Sequence, residues 1–383
     1  MLAAPLVFVA WVALAQKAES PPDPTKPSLV TLDFKDRPIH EVASAITTRS
    51  GNPVTLQYQD FGPNSVPKVT LMAPAAVPFW EAIDRYCVAA KLQRTIQEPV
   101  GFGSRMPNLT LFGPGSEPGP ASYTGPLRLA NFTIHATYRK RFVPTSFVDP
   151  ATADGYRVEF EVQPEPRVMA IRTGPLAKLE AIDDQGKSLL DPTLTDPEKV
   201  SAPVGGYGLG AYQSLVRIRL GTPSPGSKRL KTLRGLMPVE LAISPMVPTA
   251  TIPLATSVGQ TTKAGDLAIT IEEFNANPGT STTLRLVAKV EGKRGSNAPG
   301  GKPLAWARTA AIQRCLEVVD AEGRVLSAAS GGTSAGDELR LNYTFWPNRG
   351  PGPNGSTPKT LRVYAPEWVS WDAPFEFSDV PLP

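Results

Sequence analysis

Val30-Thr31-Leu32 leading to Pro38-Ile39-His40-Glu41-Val42, and Val69-Thr70-Leu71 leading to Pro78-Phe79-Trp80-Glu81-Ala82, read as one strand-then-helix unit written twice. In the first copy Ile39, Val42, Ala43 and Ile46 fall at i, i+3, i+4 and i+7, the apolar stripe of a short helix that should stop near Gly51. In the second, Phe79, Ala82, Ile83, Tyr86, Cys87 and Ala90 repeat the spacing and extend it by a turn. Pro38 and Pro78 stand at the helix starts, where a missing N–H costs little because first-turn donors have no intrahelical partner. Alternation predicts strands over 28–34, 54–58, 68–72, 94–97 and 109–112, giving the order βαβ then βαββ.

Three runs, VTLDFKDRPIHEVASAITTRSGNPVTLQ (30–57), VPKVTLMAPAAVPFWEAIDRYCVAAKLQ (66–93) and NLTLF (108–112), resemble the short N-terminal domain shared by secretins and TonB-dependent receptors. The resemblance covers residues 28–113. It implies a small α+β domain, a place in the bacterial envelope, and a role in protein–protein contacts.

At 383 residues the chain exceeds one ordinary core, so two or three domains are expected. Its 42 Pro and 32 Gly suit short strands and surface loops better than long helices. A net charge of +4 is mild for this length. The basic runs Tyr138-Arg139-Lys140-Arg141 and Lys228-Arg229-Leu230-Lys231 are brief and lack aromatic partners, so they read as solvated ends, and no nucleic-acid partner is expected.

Residues 6–14 form an apolar stretch too short to span a bilayer, and Ala13-Leu14-Ala15 supplies a small-x-small cleavage pattern. The expectation is a signal peptide over 1–15, cut near Gln16, and export to the periplasm, cell envelope or medium, with no integral membrane segment in the mature chain. A proline-rich linker over 16–27 follows. Cys87 and Cys315 fall in different predicted domains, so two buried free thiols are expected rather than a bridge.

A loop-rich linker over 114–124 precedes a second duplication. Leu179-Glu180-Ala181-Ile182-Asp183-Asp184-Gln185-Gly186-Lys187 is matched by Leu316-Glu317-Val318-Val319-Asp320-Ala321-Glu322-Gly323-Arg324, each a strand, an Asp-x-x-Gly turn and a returning strand. Lys231-Thr232-Leu233-Arg234 with Pro238-Val239-Glu240-Leu241 is echoed by Lys359-Thr360-Leu361-Arg362 with Pro374-Phe375-Glu376-Phe377. Upstream, 156–162 is matched by 284–290. The fold class expected is therefore an α+β N-terminal domain followed by two tandem immunoglobulin-like β-sandwiches, over 125–247 and 248–383.

Candidate chemistry is sparse. Gly332-Thr333-Ser334-Ala335-Gly336 fits the G-x-S-x-G pattern but lacks a following helix, and both histidines, His40 and His135, precede it in other domains, so it reads as an interstrand loop. Gly205-Gly206-Tyr207-Gly208-Leu209-Gly210 lacks a βαβ setting, so no cofactor is expected. His40-Glu41 has no second histidine at helical spacing, and the Asp183-Asp184 and Asp320 carboxylates belong to turns, so no metal site is expected. No catalytic residue is assigned. The aromatics Tyr343, Phe345, Trp346, Tyr364, Trp368, Trp371, Phe375 and Phe377 crowd the C-terminal part. Among them Trp368 and Trp371, in a loop-like stretch, are the candidate ligand-binding residues for a polysaccharide. The leading expectation is an exported, non-enzymatic protein that binds envelope proteins or acts as a scaffold; the alternatives are a carbohydrate-binding protein and a hydrolase using Ser334.

Overall fold

A computed structural model describes residues 22–57, 66–97, 106–115, 119–137, 155–172, 175–190, 201–204, 214–276, 281–291, 311–335, 338–346 and 356–383. The expected signal peptide, the basic run at 138–141 and the glycine run at 205–210 lie outside the described residues. The protein is mostly β; two helices of 12 residues each lie in the N-terminal module, and among the described residues a further helical stretch covers 311–314.

That module runs β1 (Leu29–Val30), β2 (Asp33–Pro38), α1 (Ile39–Ser50), β3 (Val54–Leu56), β4 (Lys68–Met72), β5 (Val77–Pro78), α2 (Phe79–Ala90), β6 (Gln93–Gln97), β7 (Asn108–Phe112). The single strand expected over 28–34 is split into β1 and β2. The sequence duplication is also a structural one. Pro38 and Pro78 precede the helices with nearly the same backbone, φ −54°, ψ 139° and φ −55°, ψ 147°, and neither helix has a side-chain cap. Each helix instead donates its first N–H across to the other half: Ile39 to the Pro67 carbonyl at 3.0 Å and Phe79 to the Ser28 carbonyl at 2.8 Å. Backbone donors that would otherwise be orphaned are thereby satisfied reciprocally. The stripes predicted from spacing, with Trp80, point into one core with Val30, Leu32, Leu109 and Leu111.

Two β units follow. The first contains β8 (Ser122–Thr124), β9 (Leu127–Thr137), β10 (Gly155–Pro164), β11 (Val168–Arg172), β12 (Ala177–Asp183), β13 (Ser201–Val204), β14 (Ser214–Leu220) and β15 (Arg229–Ile243). The second contains β16 (Ala250–Pro253), β17 (Thr261–Ala264), β18 (Leu267–Ala276), β19 (Thr282–Val290), β20 (Leu316–Val319), β21 (Ala329–Ala335), β22 (Glu338–Phe345) and β23 (Thr360–Val363), and the chain closes with β24 (Val369–Pro381). Each unit has a five-stranded antiparallel sheet, in the orders β13-β14-β10-β9-β8 and β21-β22-β19-β18-β17, so every strand of one has a counterpart in the other. Against each lies a smaller sheet centred on β15 or β23. Both sheets of a unit feed one apolar core.

The repeated turns match bond for bond. Asp183 accepts the N–H groups of Gln185 at 3.0 Å and Lys187 at 2.8 Å, and Asp320 accepts those of Glu322 at 3.0 Å and Arg324 at 2.9 Å. Gly186 and Gly323 take the left-handed φ that closes such a turn, +86° and +78°. Ala181 pairs with Leu233 as Val318 pairs with Leu361. The neighbouring Glu180–Arg234 ion pair is repeated as Glu317–Arg362.

Three expectations are corrected. The expected interstrand loop is instead a strand over its described residues: 329–335 form β21, an edge strand paired with β22. Pro374-Phe375-Glu376-Phe377 does not repeat Pro238-Val239-Glu240-Leu241, because the latter continues β15 whereas the former lies on β24. Finally, the chain end does not stay with the second unit. β24 pairs with β15 from Leu241↔Val369 to Arg229↔Pro381 and buries Ala373, Phe375, Phe377 and Val380 in the first unit's core. Alternation shows which face of such a strand is apolar, but not which sheet receives it.

Candidate functional site: the polar seam below the N-terminal module

The N-terminal module meets the first β unit through two buried charged clusters. One is centred on Glu165, in the turn from β10 to β11 between Pro164 and Pro166, with no exposed surface. One carboxylate oxygen, Oε1, accepts the Ser28 N–H at 2.8 Å. The other, Oε2, accepts Ser28 Oγ–H at 2.6 Å, Asn52 Nδ2–H at 3.0 Å and Arg167 Nε–H at 3.0 Å. Asn52, fully buried just beyond α1, returns a bond by accepting the Arg167 N–H at 2.9 Å. From the second unit, Arg314 donates to the Pro166 carbonyl at 3.2 Å. One four-residue turn therefore receives hydrogen bonds from all three parts of the chain.

The second cluster is built around Asp84 on α2. Arg128 of β9, only 1% exposed, donates its Nε–H to Asp84 Oδ2 at 2.8 Å. Arg94 Nη1 of β6 lies 2.6 Å from Oδ1, and the Tyr123 hydroxyl of β8 donates to Oδ2 at 2.5 Å. Arg128 Nη1 is satisfied by Gln163 Oε1 at 3.0 Å. A buried guanidinium is tolerable only with such partners. Burial and the Arg94 charge pull the Arg128 guanidinium down from its ordinary value, while the Asp84 carboxylate works the other way. Burial, then the Asp84 charge, push the Tyr123 phenol up. One turn further along α2, burial pushes the Cys87 thiol up to about 11. Both cysteines are buried, and neither is in a disulfide.

Beside Tyr123 lies a groove of about 410 Å³, lined by Tyr123, Thr124, Lys178, Arg234, Leu236 and Glu376 among others. It sits where the β8 edge approaches β24. Glu376 donates its N–H to Ser122 Oγ there at 3.4 Å.

Sequence reading passed over Asp84, Arg128 and Glu165, although Asp84 left a signal. Asp84 sits four residues after Trp80 and three before Cys87, on the apolar stripe of α2, whereas Arg128 alternates with Leu127 and Leu129 as a solvated strand residue would. A charge inside an apolar stripe marks a buried pair more often than a solvated one. Glu165 between two prolines carries no comparable mark.

The residues singled out earlier are placed elsewhere. Trp371 is not in a loop but on β24, half-buried against the first unit's core, its ring 2.8 Å from where a Gly125 Cβ would stand. Trp368 is half-buried between the units, against the second unit's core and against Ile171 and Ala311. Ser334 lies on β21, not at the strand-to-helix turn a nucleophile elbow requires. Among the described residues no three His, Cys, Asp or Glu side chains are grouped as a metal site would need, and no helix is long and apolar enough to cross a membrane. The class these observations define is a mostly β protein whose α/β N-terminal module is held on buried charge pairs. Comparison with protein-family models, with curated proteins and with solved structures finds no match.

Proposed function

We propose that this is an exported, non-enzymatic envelope protein, acting in protein–protein interaction or scaffolding. Its N-terminal module, similar to the secretin and TonB short N-terminal domain, makes the partner contact. The β units act as spacers or further binding surfaces, each a two-layer sandwich of the broad immunoglobulin-like kind, and their larger sheets share one strand order. The observation that supports this reading most is the mounting of the module. Its strand-and-helix halves brace each other, while buried Glu165 and Asp84 hold it on the first β unit. Such a mount presents one fixed surface, as sheet-edge and groove recognition of an envelope protein requires. Trp368 and Trp371 are taken up in packing, which favours this reading over sugar binding.

Two measurements test it. Expressed in a bacterial host, the chain should be found in the periplasmic or released fraction with a mature N-terminus near Gln16; an uncut cytoplasmic chain would refute export. Cross-linking in intact cells with mass spectrometry should then join residues of the N-terminal module to envelope proteins. Enrichment on purified polysaccharide, lost in a Trp368→Ala, Trp371→Ala variant, would overturn the protein-binding assignment.

A further inference from the structure

The two β units differ in where one strand comes from. In the second, β23 has β20 on one side and β16 on the other, and β16 immediately precedes the rest of that unit. In the first, β15 has β12 on one side, and the place equivalent to β16 is taken by β24. The correspondence holds at single residues. Leu361 pairs with Val318 and Ile252, and Leu233 pairs with Ala181 and Phe377, so Phe377 stands in the first unit where Ile252 stands in the second. A position that one unit fills from its own leading segment is filled in the other by the far end of the chain.

The place β24 occupies has the character of a binding site. Phe375 and Phe377 enter an aromatic cluster, with ring centroids 5.5 and 5.2 Å from Phe160 and with Phe132 4.5 Å from Phe377. Gly235 opens the room for Phe375, since a Cβ there would lie 3.1 Å from its ring. At Asp379, φ turns to +54° and the apolar phase shifts, so that Val380 follows Phe377 inward. The opposite character is built into the outward side. Asp372, Pro374, Glu376 and Ser378 face out, and proline and charge on an edge discourage a further strand. The site therefore takes one strand and stops.

We propose that the β15 edge with its Phe160 pocket is a strand-acceptor site, and that residues 366–383 are an exchangeable donor that a second copy of this chain can supply in trans. Recognition rests on main-chain pairing with β15 plus apolar side chains at 373, 375, 377 and 380, the logic of strand addition. In the monomer the donor is tethered, and the high effective concentration keeps it in cis. Exchange between copies is domain swapping through the connector 364–368.

The test uses the full chain with a protease recognition sequence inserted after Glu367, an exposed residue of that connector. After cleavage of the folded protein, the released segment should co-elute with the body. A fluorescent synthetic peptide of residues 366–383 should replace it on the cut protein and leave the uncut protein unlabelled. The same peptide with Phe375→Ala and Phe377→Ala should bind at least about 100-fold more weakly. To read exchange between copies, two differently tagged full-length chains carrying Leu236→Cys and Pro374→Cys, an opposed pair, are refolded together at high concentration. A disulfide joining the two tags is expected. A body that stays folded but takes up no peptide, equal binding of the substituted peptide, unfolding on cleavage, or disulfides only within one tag would each overturn the proposal.

Discussion

Replacing Glu165 by Gln keeps the shape of the side chain and removes its charge, which isolates the worth of the seam. Three donors converge on Oε2, from Ser28 Oγ, Asn52 and Arg167, and one on Oε1, from the Ser28 backbone. The amide nitrogen of Gln must take one of these positions, and the less costly choice is the one facing the Ser28 N–H. That choice leaves a buried donor without an acceptor, at about 1–3 kcal/mol, and turns the charge-assisted bonds from Ser28 Oγ and Asn52 into ordinary ones. Arg167 also loses its anion, although its side chain keeps some contact with water. Together the loss should be about 3–5 kcal/mol, the range for breaking a buried pair from one side, against a total of about 5–15 kcal/mol for a typical domain. Because Ser28 and Glu165 belong to different parts of the chain, the loss should appear as uncoupling. In urea followed by tryptophan fluorescence, Glu165→Gln should lower the first midpoint and separate the N-terminal module from the first β unit as two transitions. A double-mutant cycle with Ser28→Ala should show strong non-additivity. A loss under about 1 kcal/mol with an unchanged unfolding profile would refute the view that this carboxylate mounts the module.

Gly125→Ala should destabilise by about 1–3 kcal/mol or more, because φ is +49° and the new methyl would press on the Thr25 carbonyl and the Trp371 ring. Gly51→Ala, with open space around it, should cost only the left-handed backbone, about 1 kcal/mol, and thermal melting of the pair separates the two effects. Burial would raise the Asp183 carboxyl, but the hydroxyl and N–H of Ser224 with the N–H groups of Lys187 and Gln185 outweigh it; at Asp320, burial is outweighed by Arg324 and the Glu322 N–H, so both folded values lie below the usual 3.8. The unfolded state then binds more protons on acidification, so this stability is complete above the ordinary carboxylate range and drains away as pH falls through the lower folded values. Melting temperature should accordingly decline on acidification below about pH 4, and a combined Asp183→Asn, Asp320→Asn variant should show a flatter decline; parallel profiles would refute the assignment. Cys87, buried and with its thiol pushed up to about 11, should resist a thiol reagent at pH 8 in the native chain, as should buried Cys315; counting modified thiols before and after guanidine decides it.

The parts of the fold that could be read in advance are those whose interactions are near in sequence. Ile39 to Ile46 and Phe79 to Ala90 show their helices by spacing alone, and the Asp183 and Asp320 turns carry their own acceptors. Pro38 and Pro78 mark where the helices start, but not that Pro67 and Ser28 cap them, because those carbonyls come from the other half. Phe375 and Phe377 announce an apolar face, yet their partner strand begins at Arg229, and no local pattern encodes a pairing that distant. Trp371 was open to misreading for the same reason. Its neighbours in sequence are polar, while its neighbours in space are Gly125 and the first unit's core. At the seam, Asp84 was legible as a misplaced charge and Arg128 and Glu165 were not: Arg128 alternates with Leu127 and Leu129 as any strand residue might, and the partners of the Glu165 carboxylate are more than one hundred positions away or in the turn itself.

The late position of β24 also sets a clock on biosynthesis. β15 is complete at Ile243, but the strand that covers its apolar edge ends at Pro381, so roughly 140 further residues must be made first. At about 5–20 residues per second, Leu233, Met237 and Val239 spend about 7–28 s without their lid while the whole second β unit is synthesised. The first unit is thus begun early and finished last. A nascent chain of this kind offers a long-lived apolar strand edge to any chaperone that binds such edges, and a ribosome stalled before Phe375 leaves a product that cannot close that edge from its own sequence.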